Sequence, residues 1–161
     1  MPHFKSKDEH SLPEVHLDFG FLGEEGEPGN TLPVLVVREH WTRMTMSSAT
    51  PSKSPGGFIA KRVVAFLREI GAEQGDLIVK SDQEPAIMSI VTEIGRIRAA
   101  AGGGKFIVEN SPVGSSASNW VVERTIRSVE QQTRVLKSGL EERWRVRIPT
   151  RHSVMPWLVE Y

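Results

Sequence analysis

Val15, Leu17, Phe19 and Phe21 alternate with His16, Asp18 and Gly20. A period of two predicts a strand over 15–22, with His16 and Asp18 on one face. Residues 32–38 are apolar at successive positions, which predicts an interior strand covered on both faces. Residues 41–49 alternate weakly and predict a third strand, and short connections make the three an antiparallel meander. From Phe58 the period becomes helical. Phe58, Ile59, Val63, Phe66, Leu67 and Ile70 fall on one stripe, and Gly71 ends it. A short fourth strand is predicted over 77–80. Pro85 suits a first helical turn and opens a helix through residue 101, with Ile87, Ile90, Val91, Ile94 and Ile97 as its apolar side. Gly102-Gly103-Gly104 predicts a turn, 105–108 a fifth strand, and 110–117 a Ser/Gly/Pro loop. The last helix is predicted over 116–143. Its seam of Val122, Ile126, Val129, Thr133, Leu136 and Leu140 is spaced by fours and threes.

The order β-β-β-α-β-α-β-α implies an α/β fold. Three antiparallel strands are followed by two parallel ones in a five-stranded mixed sheet flanked by helices.

Composition narrows the chemistry. The 161 residues are 39% hydrophobic and 25% charged, ordinary for one globular domain. Cysteine is absent, which excludes disulfides and cysteine-zinc sites. The histidines at 3, 10, 16, 40 and 152 make no ligand pair at usual sequence spacing. No apolar run is long enough for a membrane span or signal peptide, so no membrane partner is expected. Formal net charge is zero, but its distribution is uneven. Residues 1–29 carry seven acids and two lysines, and residues 119–161 carry eight bases and five acids. The basic C-terminal third suits either phosphate contacts or a solvated helix face.

Three acids stand in three settings. Asp18 lies in the first strand, Asp82 follows the fourth, and Glu123 opens the last helix, where the dipole favours a carboxylate. Brought together they would form an oxygen-only site, which suits Mg²⁺ or Mn²⁺. Two such ions carry out in-line phosphoryl displacement without a side-chain nucleophile.

The words around these acids resemble the catalytic core of retroviral and long-terminal-repeat retrotransposon integrases. Asp18 resembles the first acid of that family's Asp-Asp-Glu triad, and Asp82, after Leu77-Ile78-Val79-Lys80-Ser81, the second. Ser111-Pro112-Val113-Gly114, Ser118-Asn119 and Glu123-Arg124 resemble its flexible loop and helix entry. The resemblance covers residues 14–145 and implies a ribonuclease H-like fold, with 1–13 a flexible lead-in. Residues 146–161 would be a C-terminal extension of the core or the start of a truncated following segment. It implies a polynucleotidyl transferase or nuclease that integrates DNA, by metal-dependent 3′-end processing and strand transfer of retroelement cDNA. Asp18, Asp82 and Glu123 would hold two Mg²⁺ or Mn²⁺ ions. Arg127 and Arg134 would contact DNA, and Asn119 would shape the helix entry. The implied partners are double-stranded DNA from element ends and target, and further copies of the chain in a homodimer or higher oligomer. The implied location is the host nucleus, as part of a retroelement polyprotein.

Trp120 stands where the family usually has glycine, and the Asp82–Glu123 interval is longer than the retroviral one. The alternatives are therefore an inactive integrase remnant that binds DNA or protein, or a ribonuclease H-type nuclease. Elsewhere, Ala101-Gly-Gly-Gly-Lys105 lacks phosphate-loop spacing and reads as a turn. His16 reads as an ordinary histidine, Glu84 as a helix-start acid with accessory metal ligation the alternative, and Trp41, Trp144 and Trp157 as core or interface residues.

Overall fold

A computed structural model describes residues 12–23, 31–52, 57–110 and 116–160, with side chains from 120 onward in the last of these. Of the expected lead-in at 1–13, residues 1–11 lie outside the described residues, as do the turn at 24–30 and the Ser111–Gly114 loop; the Leu12 and Pro13 carbonyls accept from the Trp41 indole N–H and the Ile78 N–H.

The strands are β1 (Glu14–Leu22), β2 (Leu32–Glu39), β3 (Thr45–Ala49), β4 (Leu77–Ser81) and β5 (Phe106–Asn110). The helices are α1 (Gly57–Glu69), α2 (Pro85–Ala100), α3 (Ser116–Trp144) and α4 (Met155–Glu160). The strands form one sheet ordered β3-β2-β1-β4-β5. β1, β2 and β3 pair antiparallel, and β4 and β5 join in parallel. This is the mixed sheet that the hydrophobic pattern predicts. None of the described helices is long and apolar enough to cross a membrane.

The pleat of β1 divides the molecule into two cores. Val15, Leu17 and Phe19 join Leu35, Val37, Leu77 and Val79 under α1 and α2. The opposite face carries Leu22, Leu32, Val34 and Val36 under Val122 and Ile126 of α3. Each fully buried Leu, Ile or Val contributes about 1.5–3 kcal/mol of transfer free energy. The strand is therefore covered on both sides. His16 and Gly20, on the expected polar face, are buried, whereas Phe21 is 41% exposed at the sheet's end.

Two elements differ from the pattern. β3 begins at Thr45 rather than Trp41, because residues 40–42 form the turn from β2. There the Glu39 carboxylate accepts from the Thr42 N–H and hydroxyl, each at 2.6 Å. Trp41 is half exposed, its indole N–H donating to the Leu12 carbonyl at 3.2 Å. At the other end, α4 was not anticipated. Ile148, Met155 and Val159 are buried in the second core. The Ser47 hydroxyl donates to the Val159 carbonyl at 2.6 Å, and Arg62 pairs with Glu160 at 3.0 Å. Residues 148–160 thus pack on β3 and α3. The Gly102 turn forms as predicted, with φ of 77°.

Candidate metal centre

Strand register sets the first two acids side by side. β1 and β4 pair in parallel, with Val15 opposite Val79 and His16 opposite Lys80. Two residues further on, the same register places Asp18 opposite Asp82, just past the end of β4. Each carboxylate is fixed by local backbone. Asp18 Oδ1 accepts from the Phe19 N–H at 2.8 Å, and Asp82 Oδ1 accepts from the Glu84 N–H at 3.0 Å. The second bond shapes the entry to α2, where Glu84 is the N-cap and Pro85 the first helical residue. The N-terminal dipole of α2 lies beside the acids and favours their negative charge.

Asp18, Asp82 and Glu84 each offer an oxygen within 4.8 Å of the others, and all three are half-buried. Opposed oxygens on one Mg²⁺ lie about 4.2 Å apart, twice a bond of about 2.1 Å. Oxygens held within 4.8 Å of one another can reach a shared cation of that size. Its donors are carboxylate oxygens, with no nitrogen or sulfur among them, a set that fits Mg²⁺ or Mn²⁺. Glu84 joins this tight group because its backbone N–H is tied to Asp82, which holds the residue at the cluster. Glu84 is the N-cap of α2, as the sequence reading as a helix-start acid expects, and its carboxylate lies within reach of those of Asp18 and Asp82.

Glu123 is exposed on the first part of α3 and outside the 4.8 Å group. Its charge nevertheless reaches Asp18. Burial first, then the charges of Asp82, Glu84 and Glu123, push the Asp18 carboxyl up to about 6, against the lowering pull of the Phe19 N–H. Of the three acids picked out from sequence, Asp18 and Asp82 therefore come together, while Glu123 lies outside their group and acts on Asp18 only through its charge.

Two contacts seat the first part of α3, which carries Glu123, on the sheet. Gly20 lies under Ile126, and a Cβ at Gly20 would come within 2.6 Å of Ile126 Cγ2 and 3.0 Å of Glu130 Oε1. Only a residue without Cβ lets the helix approach this closely. Arg38 of β2 donates to the Thr125 hydroxyl at 2.8 Å, and that hydroxyl donates to the Val121 carbonyl at 2.9 Å. Sequence reasoning missed Gly20, Arg38 and Thr125. The glycine's place two residues after Asp18 was the only available signal.

Of the remaining expected residues, Arg127 and Arg134 are exposed on α3. At 1.5 Å per residue, Arg127 is about 6 Å along the helix from Glu123 and Arg134 about 16 Å. The Asn119 side chain lies outside the described residues. Arg38, Arg43, Arg124, His40, Trp41 and Trp120 line an open groove of about 550 Å³ beside the start of α3. Trp120 is 55% exposed there.

Solved structures share the fold of this chain. The trimeric form of the HTLV-2 integrase catalytic core domain in complex with magnesium matches with a TM-score of 0.51 and 15% identity, over 78% of this chain and 72% of that one. The chain has the fold of a retroviral integrase catalytic core. The dimeric form of the same domain, also with magnesium, matches with a TM-score of 0.50 and 15% identity, over 78% and 73% of the two chains. A simian T-cell lymphotropic virus intasome in complex with the PP2A regulatory subunit B56 gamma matches with a TM-score of 0.54 and 15% identity, over 91% of this chain but 48% of that one. No protein-family model matches the chain, and no curated protein matches it. The integrase-core likeness is therefore one of shape, of the ribonuclease H-like kind that the sequence words suggested.

Proposed function

We propose that this chain is the catalytic core of a retroelement integrase, a metal-dependent polynucleotidyl transferase that processes and joins DNA ends. The observation that carries the reading is the meeting of Asp18, Asp82 and Glu84 on an integrase-core fold, with the charge of Glu123 felt at Asp18. When bound, Mg²⁺ or Mn²⁺ acidifies the attacking oxygen and stabilises the leaving one. Asp18 and Asp82 hold the cations, and Glu123 closes the site from α3. Glu84 supports Asp82 and adds negative charge. In end processing water attacks the phosphorus, the element strand's own 3′-oxygen leaves as the new 3′-hydroxyl, and the short fragment departs carrying the 5′-phosphate. In joining, a DNA 3′-hydroxyl attacks and the target strand's own 3′-oxygen leaves.

The groove beside α3 supports a nucleic-acid substrate. Arg38, Arg43 and Arg124 match phosphates, and the exposed rings of Trp41 and Trp120 offer stacking faces. Arg43→Asn removes one charge and keeps a residue suited to its positive φ of 63°. It is expected to weaken DNA binding a few-fold and to lower the salt slope by about one unit, read by fluorescence anisotropy across a salt series. Because the HTLV-2 core structures are dimeric and trimeric, we extend the proposal to a homodimer or higher oligomer. Val135, Trp144, Val146 and Trp157 supply exposed apolar surface for it.

The test is strand joining on a branched DNA substrate with Mg²⁺ or Mn²⁺ and with EDTA. Activity that needs the cation supports the reading. A folded chain that binds DNA but joins nothing would instead be an inactive remnant. The same assay ranks the third acid. Glu123→Gln is expected to lose about 10²-fold and Glu84→Gln about 10-fold, as for an outer partner of a metal ligand. The reverse ranking would make Glu84 the third ligand.

A further inference from the structure

We propose that Glu14, His16 and His40 form a second cation site, distinct from the acid cluster and built for Zn²⁺ or a similar borderline transition-metal ion. Glu14 and His16 alternate on β1 and therefore share a face. His40 follows β2, and its backbone N–H donates to the Glu14 carbonyl at 2.8 Å. The antiparallel ladder thus brings together three residues whose separation in sequence gives no metal motif.

Their geometry suits tetrahedral coordination. The three ligand atoms all lie within 4.8 Å of one another. His16 Nε2 stands 3.5 Å from Glu14 Oε1. Two ligands on Zn²⁺ at about 2.1 Å each, held at the tetrahedral angle, lie about 3.4 Å apart. His16 is only 5% exposed, and its Nε2 has no hydrogen-bond partner. A buried imidazole nitrogen met by a carboxylate at 3.5 Å, outside hydrogen-bond geometry, calls for an explanation such as an ion between them. Two imidazoles and one carboxylate favour zinc over magnesium, which prefers an all-oxygen shell. His40 is exposed, its ring stacked at 5.7 Å on that of His16 and edge-on at 4.7 Å to that of Trp41, and solvent would supply a fourth ligand.

Lys80 is the natural competitor. Its ammonium pairs with Glu14 and lies 3.6 Å from Glu109. Zinc binding would release it from Glu14 toward Glu109. The ion would then clamp the start of β1 to the end of β2, beside the Arg38-lined groove.

The experiment uses the full chain carrying Asp18→Asn and Asp82→Asn, so that the acid cluster takes no part. Zn²⁺ is titrated calorimetrically, and Co²⁺ binding is followed by visible absorption. One equivalent of Zn²⁺, an intense tetrahedral Co²⁺ spectrum and a zinc-dependent rise in melting temperature are expected. His40→Ala, an exposed change that leaves the fold intact, should weaken Zn²⁺ by at least about 10- to 100-fold. Lys80→Met should tighten it. Absence of saturable zinc uptake, or an affinity unchanged by His40→Ala, overturns the proposal. Loss of Mg²⁺-dependent strand joining alone would count against the integrase reading and leave this site standing.

Discussion

Asp18→Asn should abolish cation-dependent strand joining, by at least about 10³-fold (about 4 kcal/mol), and yet make the metal-free protein more stable at neutral pH. Both effects have one cause. The carboxylate is half-buried among other acids, and its folded-state value of about 6 stands above the ordinary 3.8. Below pH 4 the folded and unfolded chains both carry the proton, so the group contributes nothing. Between about 4 and 6 the unfolded chain ionises while the folded one resists, so stability falls as pH rises. Above 6 the full cost persists. A shift of about two units corresponds to about 3 kcal/mol, and solvent screening of a partly exposed side chain brings it to on the order of 2 kcal/mol. Asparagine keeps the shape and can still accept from the Phe19 N–H without the charge. Urea melts in EDTA should therefore show the variant ahead of wild type at pH 7 and level with it at pH 4. Added Mg²⁺ should narrow the gap at pH 7 by stabilising only the wild type. Equal midpoints at pH 7, or joining activity that survives in the variant, would remove the acid cluster from the mechanism.

Gly20→Val should cost both stability and activity without touching Asp18, Asp82, Glu84 or Glu123. Valine is otherwise favoured in strands, so a loss must come from contact rather than propensity. Its Cβ would meet Ile126 Cγ2 at 2.6 Å. That methyl belongs to a β-branched side chain with little rotamer freedom, so α3 must move. Overpacking of this kind costs about 1–3 kcal/mol. Glu123 lies one turn before Ile126, and a shift of about 1 Å there is enough for a loss of about 10²-fold. Ile126→Ala should restore much of the joining activity to Gly20→Val, because it removes the colliding group. If the double variant joins no better than the single one, Gly20 does not act through the seating of α3.

Much of the architecture was legible before any coordinates. The period of two in residues 15–21 and the stripes on 58–70 and 87–97 are local signals, and they survive folding because burial rewards them directly. Asp18 and Asp82 were legible for another reason. Acids at strand ends are common, and these two stood out because the words around them resemble the integrase core. β3 was drawn too long, because the weak alternation at 41–44 belongs to a turn held by the Glu39 carboxylate. α4 was missed because its six residues are too few to show a period.

The chain alone thus determined the five strands, the three long helices, their order and the acids worth pairing. Each of these follows from residues near one another in sequence, where backbone preference and hydrophobic spacing operate. Tertiary structure decided the rest. It set Asp18 opposite Asp82, brought Glu84 into their company, made Gly20 a seat for α3, and joined His40 to Glu14 and His16. Those outcomes depend on strand register and on how closely a helix rests on a sheet. Both are fixed by packing between distant segments, and no local pattern encodes them.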